Sequence, residues 1–238
     1  MYALILAGLV TTSLKTASAH PMKYYLSLPD GWQAGKKWPV VVVIESANRD
    51  FETTAKEFER ARGSKPFILV TPLVLTNGGP RYREATGYRY DAATWARIER
   101  DGTWKFDGAG VQAVLADVRR LYGGESKAFL TGWEAGGHTV FALAFTHPSW
   151  FAAAAPVCPN YAARWIAPAG ERAAGMPLRC FIGAKDDLWQ RFSSQWDRAR
   201  NEARSRGFGD LSIRQVDGKG HEPLADAVLA WFLSLAGK

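Results

Sequence analysis

Cysteine is scarce in this chain: two residues in 238, Cys158 and Cys180, so no disulfide framework carries the fold. An exported protein can pair two cysteines, but these fall on or beside neighbouring expected strands at different heights, and free buried thiols are the expectation. No run of five basic residues occurs. The formal net charge of +7 is therefore read as an Arg-rich solvated surface rather than a nucleic-acid patch. The apolar run Ala3–Val10 is too short for a permanent membrane span. Internal repeats are absent, and the longest low-complexity tract is Ala152–Ala155. With four histidines and no His-Glu-x-x-His spacing, no metal site is supported, and no cofactor is called for.

Hydrophobic residues make up 47% of the chain and charged residues 22%, which excludes wholesale disorder. The length fits one domain. At the N-terminus, Ala3–Val10 precedes Ala17-Ser18-Ala19, a small-x-small pattern of the signal-peptidase type. Cleavage before His20, a mature domain over 20–238 and a secreted or periplasmic location are expected. The n-region lacks Lys or Arg before Lys15.

Strand and helix signals then alternate. Tyr24–Leu28 reads as a strand, and Trp38–Ile44 contains an unbroken β-branched run, the mark of a strand buried on both faces. Phe51–Arg62 reads as a helix closed by Gly63, and Phe67–Val70 as the next buried strand. From Leu73 to Gly110 the chain is rich in glycine and aromatics: Tyr82, Tyr88, Tyr90, Trp95, Trp104 and Phe106. That length suits either a lid or pocket loop or an excursion packed by its own aromatics. Val111, Val114, Leu115, Val118 and Leu121 mark a helix stripe ended by Gly123-Gly124. Ala128–Thr131, Ala152–Val157, Leu178–Ile182 and Leu211–Val216 read as strands. Helices follow to about Phe145, over Phe192–Ala203 up to Gly207, and over Leu224–Leu235. This alternation implies an α/β domain with a mostly parallel sheet and helices on both faces. In such sheets ligands bind beyond the carboxyl ends of the strands.

Three strand ends carry chemistry. Thr131-Gly132-Trp133-Glu134-Ala135-Gly136 is a strand, then Gly-x-Z-x-Gly, then a helix: the nucleophile-elbow pattern, with Glu134 at Z. Phe181-Ile182-Gly183-Ala184-Lys185-Asp186-Asp187 ends a strand in two carboxylates. Gly218-Lys219-Gly220-His221 lies between the last strand and the last helix. The order nucleophile, acid, histidine at these places is that of α/β-hydrolases.

On these motifs the chain, from Lys23 onward, resembles the esterase branch of the α/β-hydrolase family, in particular polyester depolymerases and feruloyl-esterase-like members. The resemblance implies an α/β-hydrolase fold, Asp186 as catalytic acid (Asp187 the alternative) and His221 as catalytic base. It also implies oxyanion donors at Ala135 and around Ser46-Ala47, and a small or polymeric ester-like ligand. Two departures stand out. Glu45-Ser46 replaces the family's His-Gly, and Glu134 replaces serine. Trp133 is expected to pack beside the pocket; His138 and His147 are read as structural, and Glu45 as a further group that ends a central strand.

A glutamate at the elbow closes the acyl-serine route, because an ionised carboxylate has no proton for histidine to remove. No other serine shares the elbow. Three roles remain: a carboxylate nucleophile that forms an ester intermediate, a base or electrostatic group that positions water, or a silent site that binds without turnover.

Overall fold

The computed structural model describes residues 12–78, 83, 87–166 and 171–237. Ala3–Val10 and Tyr82 lie outside them. Among the described residues, eight strands form one sheet: β1 (Ser13–Thr16), β2 (Lys23–Ser27), β3 (Val40–Ile44), β4 (Ile68–Pro72), β5 (Ala128–Trp133), β6 (Phe151–Val157), β7 (Cys180–Gly183) and β8 (Ile213–Val216). The strand order is β1-β2-β4-β3-β5-β6-β7-β8. The pairs β1–β2 and β2–β4 are antiparallel, and the rest are parallel. This is the expected mostly parallel α/β sheet.

The helices are α1 (Phe51–Arg62), α2 (Ala92–Asp101), α3 (Thr103–Tyr122), α4 (Gly136–Thr146), α5 (Trp189–Ser205) and α6 (Ala225–Leu235). The chain steps from β3 to β4 in one direction across the sheet, then returns past β3 to β5 and continues to β8. Right-handed crossovers in opposite directions put their helices on opposite faces. So α1 covers one face, where α6 packs against it, and α3, α4 and α5 cover the other. The direction reverses between β3 and β5, and the carboxyl end of that gap is where a ligand crevice opens in such sheets.

Every residue of β3 and β4 is buried, as their unbroken apolar runs require. In α5 the buried residues are Phe192, Trp196, Ala199 and Ala203, the one stripe read from the sequence. Both cysteines are buried and unpaired.

Two segments differ from the sequence reading. Residues 73–110 are not one long loop. Asp91 caps α2 by accepting the Thr94 N–H at 2.7 Å, and α3 begins at Thr103. The apolar stripe that would have announced α2 is missing, because Ile98 is its only buried residue. Gly108 and Gly110 weaken the helix signal in the first half of α3. Tyr88 and Phe106 pack with Phe51, Leu73, Leu75 and Ile98 in a second small core, with Tyr90 and Trp95 against it. The second difference is β1, which lies in the stretch read as a leader. Its residues pair with β2, and just beyond it the Ser18 N–H donates to Asp117 Oδ2 at 2.7 Å.

Candidate active site

The carboxyl ends of β3 and β5 meet closely. A Cβ on Gly132 would lie 2.8 Å from Ile44 Cβ, and one on Gly136 would lie 2.7 Å from the Glu45 carbonyl oxygen. Side chains at either place would push the elbow off β3, which is why the motif has glycine there. Between them Glu134 adopts φ +49°, in the left-handed region that L-residues avoid. Three main-chain hydrogen bonds hold it. The Glu134 N–H donates to Val157 O (3.0 Å), while Glu134 O accepts from the N–H groups of Gly137 (3.0 Å) and Asn160 (2.9 Å). This is the strained strand-turn-helix geometry of a nucleophile elbow, with a half-buried glutamate at its apex. Ala135 caps α4 directly after it.

The acid and the histidine converge from loops far apart in sequence. The loop after β7 is stitched to the loop after β8 by Lys185 N–H to Lys219 O (2.8 Å). His221 Nδ1 then lies 3.0 Å from Asp186 Oδ2. The Asp186 side chain is fully buried and that of His221 is 32% exposed, so the pair has a shielded base and an open tip. Burial alone would raise the Asp186 carboxyl. Hydrogen bonds from His221, the Cys158 thiol and the Leu188 N–H outweigh it and hold the group below its ordinary value. The imidazole is flanked on two sides. Its ring centroid lies 5.2 Å from Phe192, nearly parallel at 4°, and 5.2 Å from Trp133, tilted by 52°. Trp133 therefore links the histidine to the elbow, since it directly precedes Glu134. Asp187 has no hydrogen bond to His221; Asp186 makes that contact.

The loop after β3 is organised around Glu45. Its carboxylate accepts from Thr54 Oγ1, from Ser46 Oγ (3.2 Å) and from the N–H groups of Ser46 and Asp50. Burial nevertheless keeps the Glu45 pKa raised. Asn77 ties down the loop's carbonyls, donating to Glu45 O (3.1 Å) and Ser46 O (2.8 Å). Glu45 thus spends its carboxylate on its own loop and the first turn of α1. The Ser46 hydroxyl is buried and committed to the same turn. The Ser46 N–H also faces that carboxylate, which leaves Ala47 as the oxyanion candidate of this loop.

His138 stands edge-on against Trp165 with centroids 4.1 Å apart. Burial first, then Arg164 and Arg191, lowers its pKa to about 4, which keeps it neutral. His147 stacks flat on Trp150 at 4.0 Å. Both are packing residues, as the sequence reading had them. One contributor was missed: Cys158, held at φ +40° just after β6, whose buried thiol bonds Asp186. Burial first, then Asp186, pushes the thiol pKa up, so it stays a neutral donor. The signal was available, because Cys158 also directly follows a strand. Cys158, Asp186 and His221 place one ligand-type atom each within 4.8 Å of one another. Two of these residues, Asp186 and His221, are already hydrogen-bonded to each other.

Comparison with known proteins decides the family. The model of the family described as "Putative esterase" matches residues 16–237. The chain belongs to this esterase family. Its fold matches poly(3-hydroxybutyrate) depolymerase LpqC from Bordetella parapertussis at TM-score 0.63 and 18% identity, over 94% of this chain and 89% of that one. It matches S-formylglutathione hydrolase from Agrobacterium tumefaciens at TM-score 0.62 and 16% identity, over 95% and 94%. A ferulic acid esterase from the anaerobic fungus Anaeromyces mucronatus matches at TM-score 0.61 and 13% identity, over 96% and 89%. Among curated proteins none matches the sequence.

Proposed function

We propose that this esterase-family chain binds an ester-like ligand, small or polymeric, at the β3–β5 crevice without forming an acyl-enzyme. One observation carries the reading: the apex of the elbow, at φ +49°, is Glu134. Acyl transfer needs a neutral hydroxyl whose proton His221 can accept, and a carboxylate has none to give. A carboxylate at the apex directly precedes the N-terminus of α4, where a helix terminus favours negative charge. Structural neighbours that include a poly(3-hydroxybutyrate) depolymerase and a ferulic acid esterase support an ester-type ligand. The test is an assay of purified protein with short aryl esters beside a titration with polyester oligomers. Saturable binding with negligible turnover is expected. Ester turnover that survives Glu134→Gln and disappears with His221→Ala would sink the reading.

The formed Asp186–His221 pair favours a second reading. A carboxylate at the elbow can attack an alkyl carbon, as in a haloalkane or epoxide, and release the leaving group. Histidine-activated water then cleaves the resulting ester. In His221→Ala that ester would persist. A mass increase on Glu134 after incubation with a haloalkane establishes this reading and removes the first.

We also propose export, on the strength of Ala3–Val10 followed by Ala17-Ser18-Ala19. N-terminal sequencing of protein from the periplasm or medium should begin at His20. Cell-retained protein beginning at Met1 overturns this.

A further inference from the structure

A second cavity, of about 580 Å³, opens between α3 and α4 away from the catalytic pair. Neither Glu134 nor His221 lines it. Its aromatic lining residues are Trp104 and Trp165, whose rings lie 5.7 Å apart, and Trp150; His147 stacks on Trp150, and Trp165 also touches His138 and the Arg164 guanidinium, 4.7 Å from its ring. Deep in the fold it meets a linked polar set. Asp107 Oδ2 accepts the N–H groups of Leu75 (2.7 Å) and Thr76 (2.8 Å), and the hydroxyls of Thr76 and Thr139 bond at 2.8 Å. Asp107 is 1% exposed, and its other oxygen, Oδ1, is buried with no partner among the described residues. A buried carboxyl oxygen left unpaired is costly, and Asp107 is among the residues that line the cavity.

The wall of the cavity carries an independent sign. Gly108 lies within α3 and lines the cavity, and a Cβ built there meets nothing within 4 Å. Two residues on, a Cβ at Gly110 would lie 2.5 Å from Met22 Cε, so packing demands that glycine. Nothing in the packing demands Gly108, and a helix-interior glycine weakens the helix relative to alanine. Its effect is to keep the wall open. Ala109 and Ala142 add small side chains to the same lining.

From this geometry we infer that the α3–α4 cavity is a binding site for a planar aromatic ring carrying one hydroxyl. The ring lies against the indole faces of Trp104 and Trp165, and the hydroxyl donates to Asp107 Oδ1. Indole walls favour a flat π-face. Thr76, Asp107 and Thr139 form one connected polar set, which suits a single polar substituent. Lys105, Gln112, Leu143, Thr146, His147 and Glu171 complete the lining. The volume lies within the range of small-molecule sites, which pair apolar walls with a few placed polar groups. Burial raises the Asp107 pKa to about 7, so near neutrality the carboxyl can accept from a hydroxyl or donate to it. Glu134 and His221 do not line the site, and its ligand need not be the esterase-site ligand.

The test is calorimetric titration of the full chain with 4-ethylphenol and with ethylbenzene, in wild type, Gly108→Leu and Glu134→Gln. Wild type should bind the phenol saturably, one to one, and ethylbenzene about tenfold more weakly or worse, since the buried oxygen then stays unpaired. Gly108→Leu places a side chain in the cavity while improving the helix. It should lower phenol affinity at least about tenfold with an unchanged or raised melting temperature. Glu134→Gln should bind as wild type does. The inference is overturned if wild type shows no saturable binding, if Gly108→Leu binds undiminished, or if Glu134→Gln abolishes binding.

Discussion

The two halves of the candidate site differ in what they supply. On the dyad side, Asp186 and His221 form a supported pair: a fully buried carboxylate with three donors and an imidazole between two aromatic rings. On the elbow side the backbone has the positive φ and close-approach glycines of the motif, and the apical side chain is a glutamate. The loop after β3, beside it, is organised around Glu45. Main-chain geometry at an elbow is fixed by packing of β5 and α4 against β3, so the fold maintains it. The apical side chain projects from that packing and is free to differ. A formed elbow thus speaks for the fold, and only the side chain at its apex speaks for the chemistry.

Breaking the dyad side at its support has the largest expected effect. Phe192 is fully buried and stacks on His221. Phe192→Ala should cost about 3–5 kcal/mol of stability in chemical denaturation. The elbow side comes next, by restoration. Glu134→Ser supplies a hydroxyl beside a formed Asp–His pair. Aryl-ester hydrolysis should exceed that of the double variant Glu134→Ser, His221→Ala by at least about a hundredfold, near 2.7 kcal/mol. If the two variants are equal and both folded, the site is not a latent serine hydrolase, and carboxylate chemistry or pure binding gains over the esterase analogy.

Two aspartates give opposite pH signatures. The folded-state pKa of Asp186 is depressed, so its contribution is present above the ordinary carboxylate range and is lost as pH falls through the lower folded value. Asp186→Asn should remove about 1–3 kcal/mol at neutral pH and little at strongly acid pH. The Asp107 pKa is raised to about 7. The folded state therefore holds that proton longer than the unfolded chain, and the Asp107 contribution to stability should decline as pH rises from about 4 to about 7. Asp107→Asn should flatten that decline, measured by thermal unfolding across the range. The smallest effect tests backbone strain. Glycine is at ease at φ +49°, so Glu134→Gly should raise stability by about 1 kcal/mol. A drop would show that the glutamate side chain contributes more than its backbone costs.

Much of this was legible in the sequence, for physical reasons that vary by residue. Buried strands such as Val40–Ile44 announce themselves because both faces are apolar. Phe51–Arg62 was readable to its last residue because Asp50 and Gly63 bracket it. Asp186 and His221 were readable as positions, since strand ends in parallel sheets converge, and their contact is what the fold adds. Helix α2 was not readable, because a helix resting on one buried residue has no stripe. Cys158 was read only for disulfide pairing, because its bond to Asp186 joins residues on two adjacent strand ends and exists only once β6 and β7 are side by side. The involvement of the Ser46 N–H with Glu45 lies in a loop's folding back, which no spacing encodes.

Strand β1 bears on how the protein behaves in solution. It occupies the outer edge of the sheet, short and mostly exposed, with Lys15 in its middle. Short, charged edges discourage one sheet from extending into another. A chain trimmed before His20 would instead present β2 as the edge, Lys23–Ser27 with its two tyrosines and Leu26, and its freed amides and carbonyls would be open to a second molecule. Trimmed and untrimmed forms should then part company in light scattering at high concentration, the shorter one self-associating first.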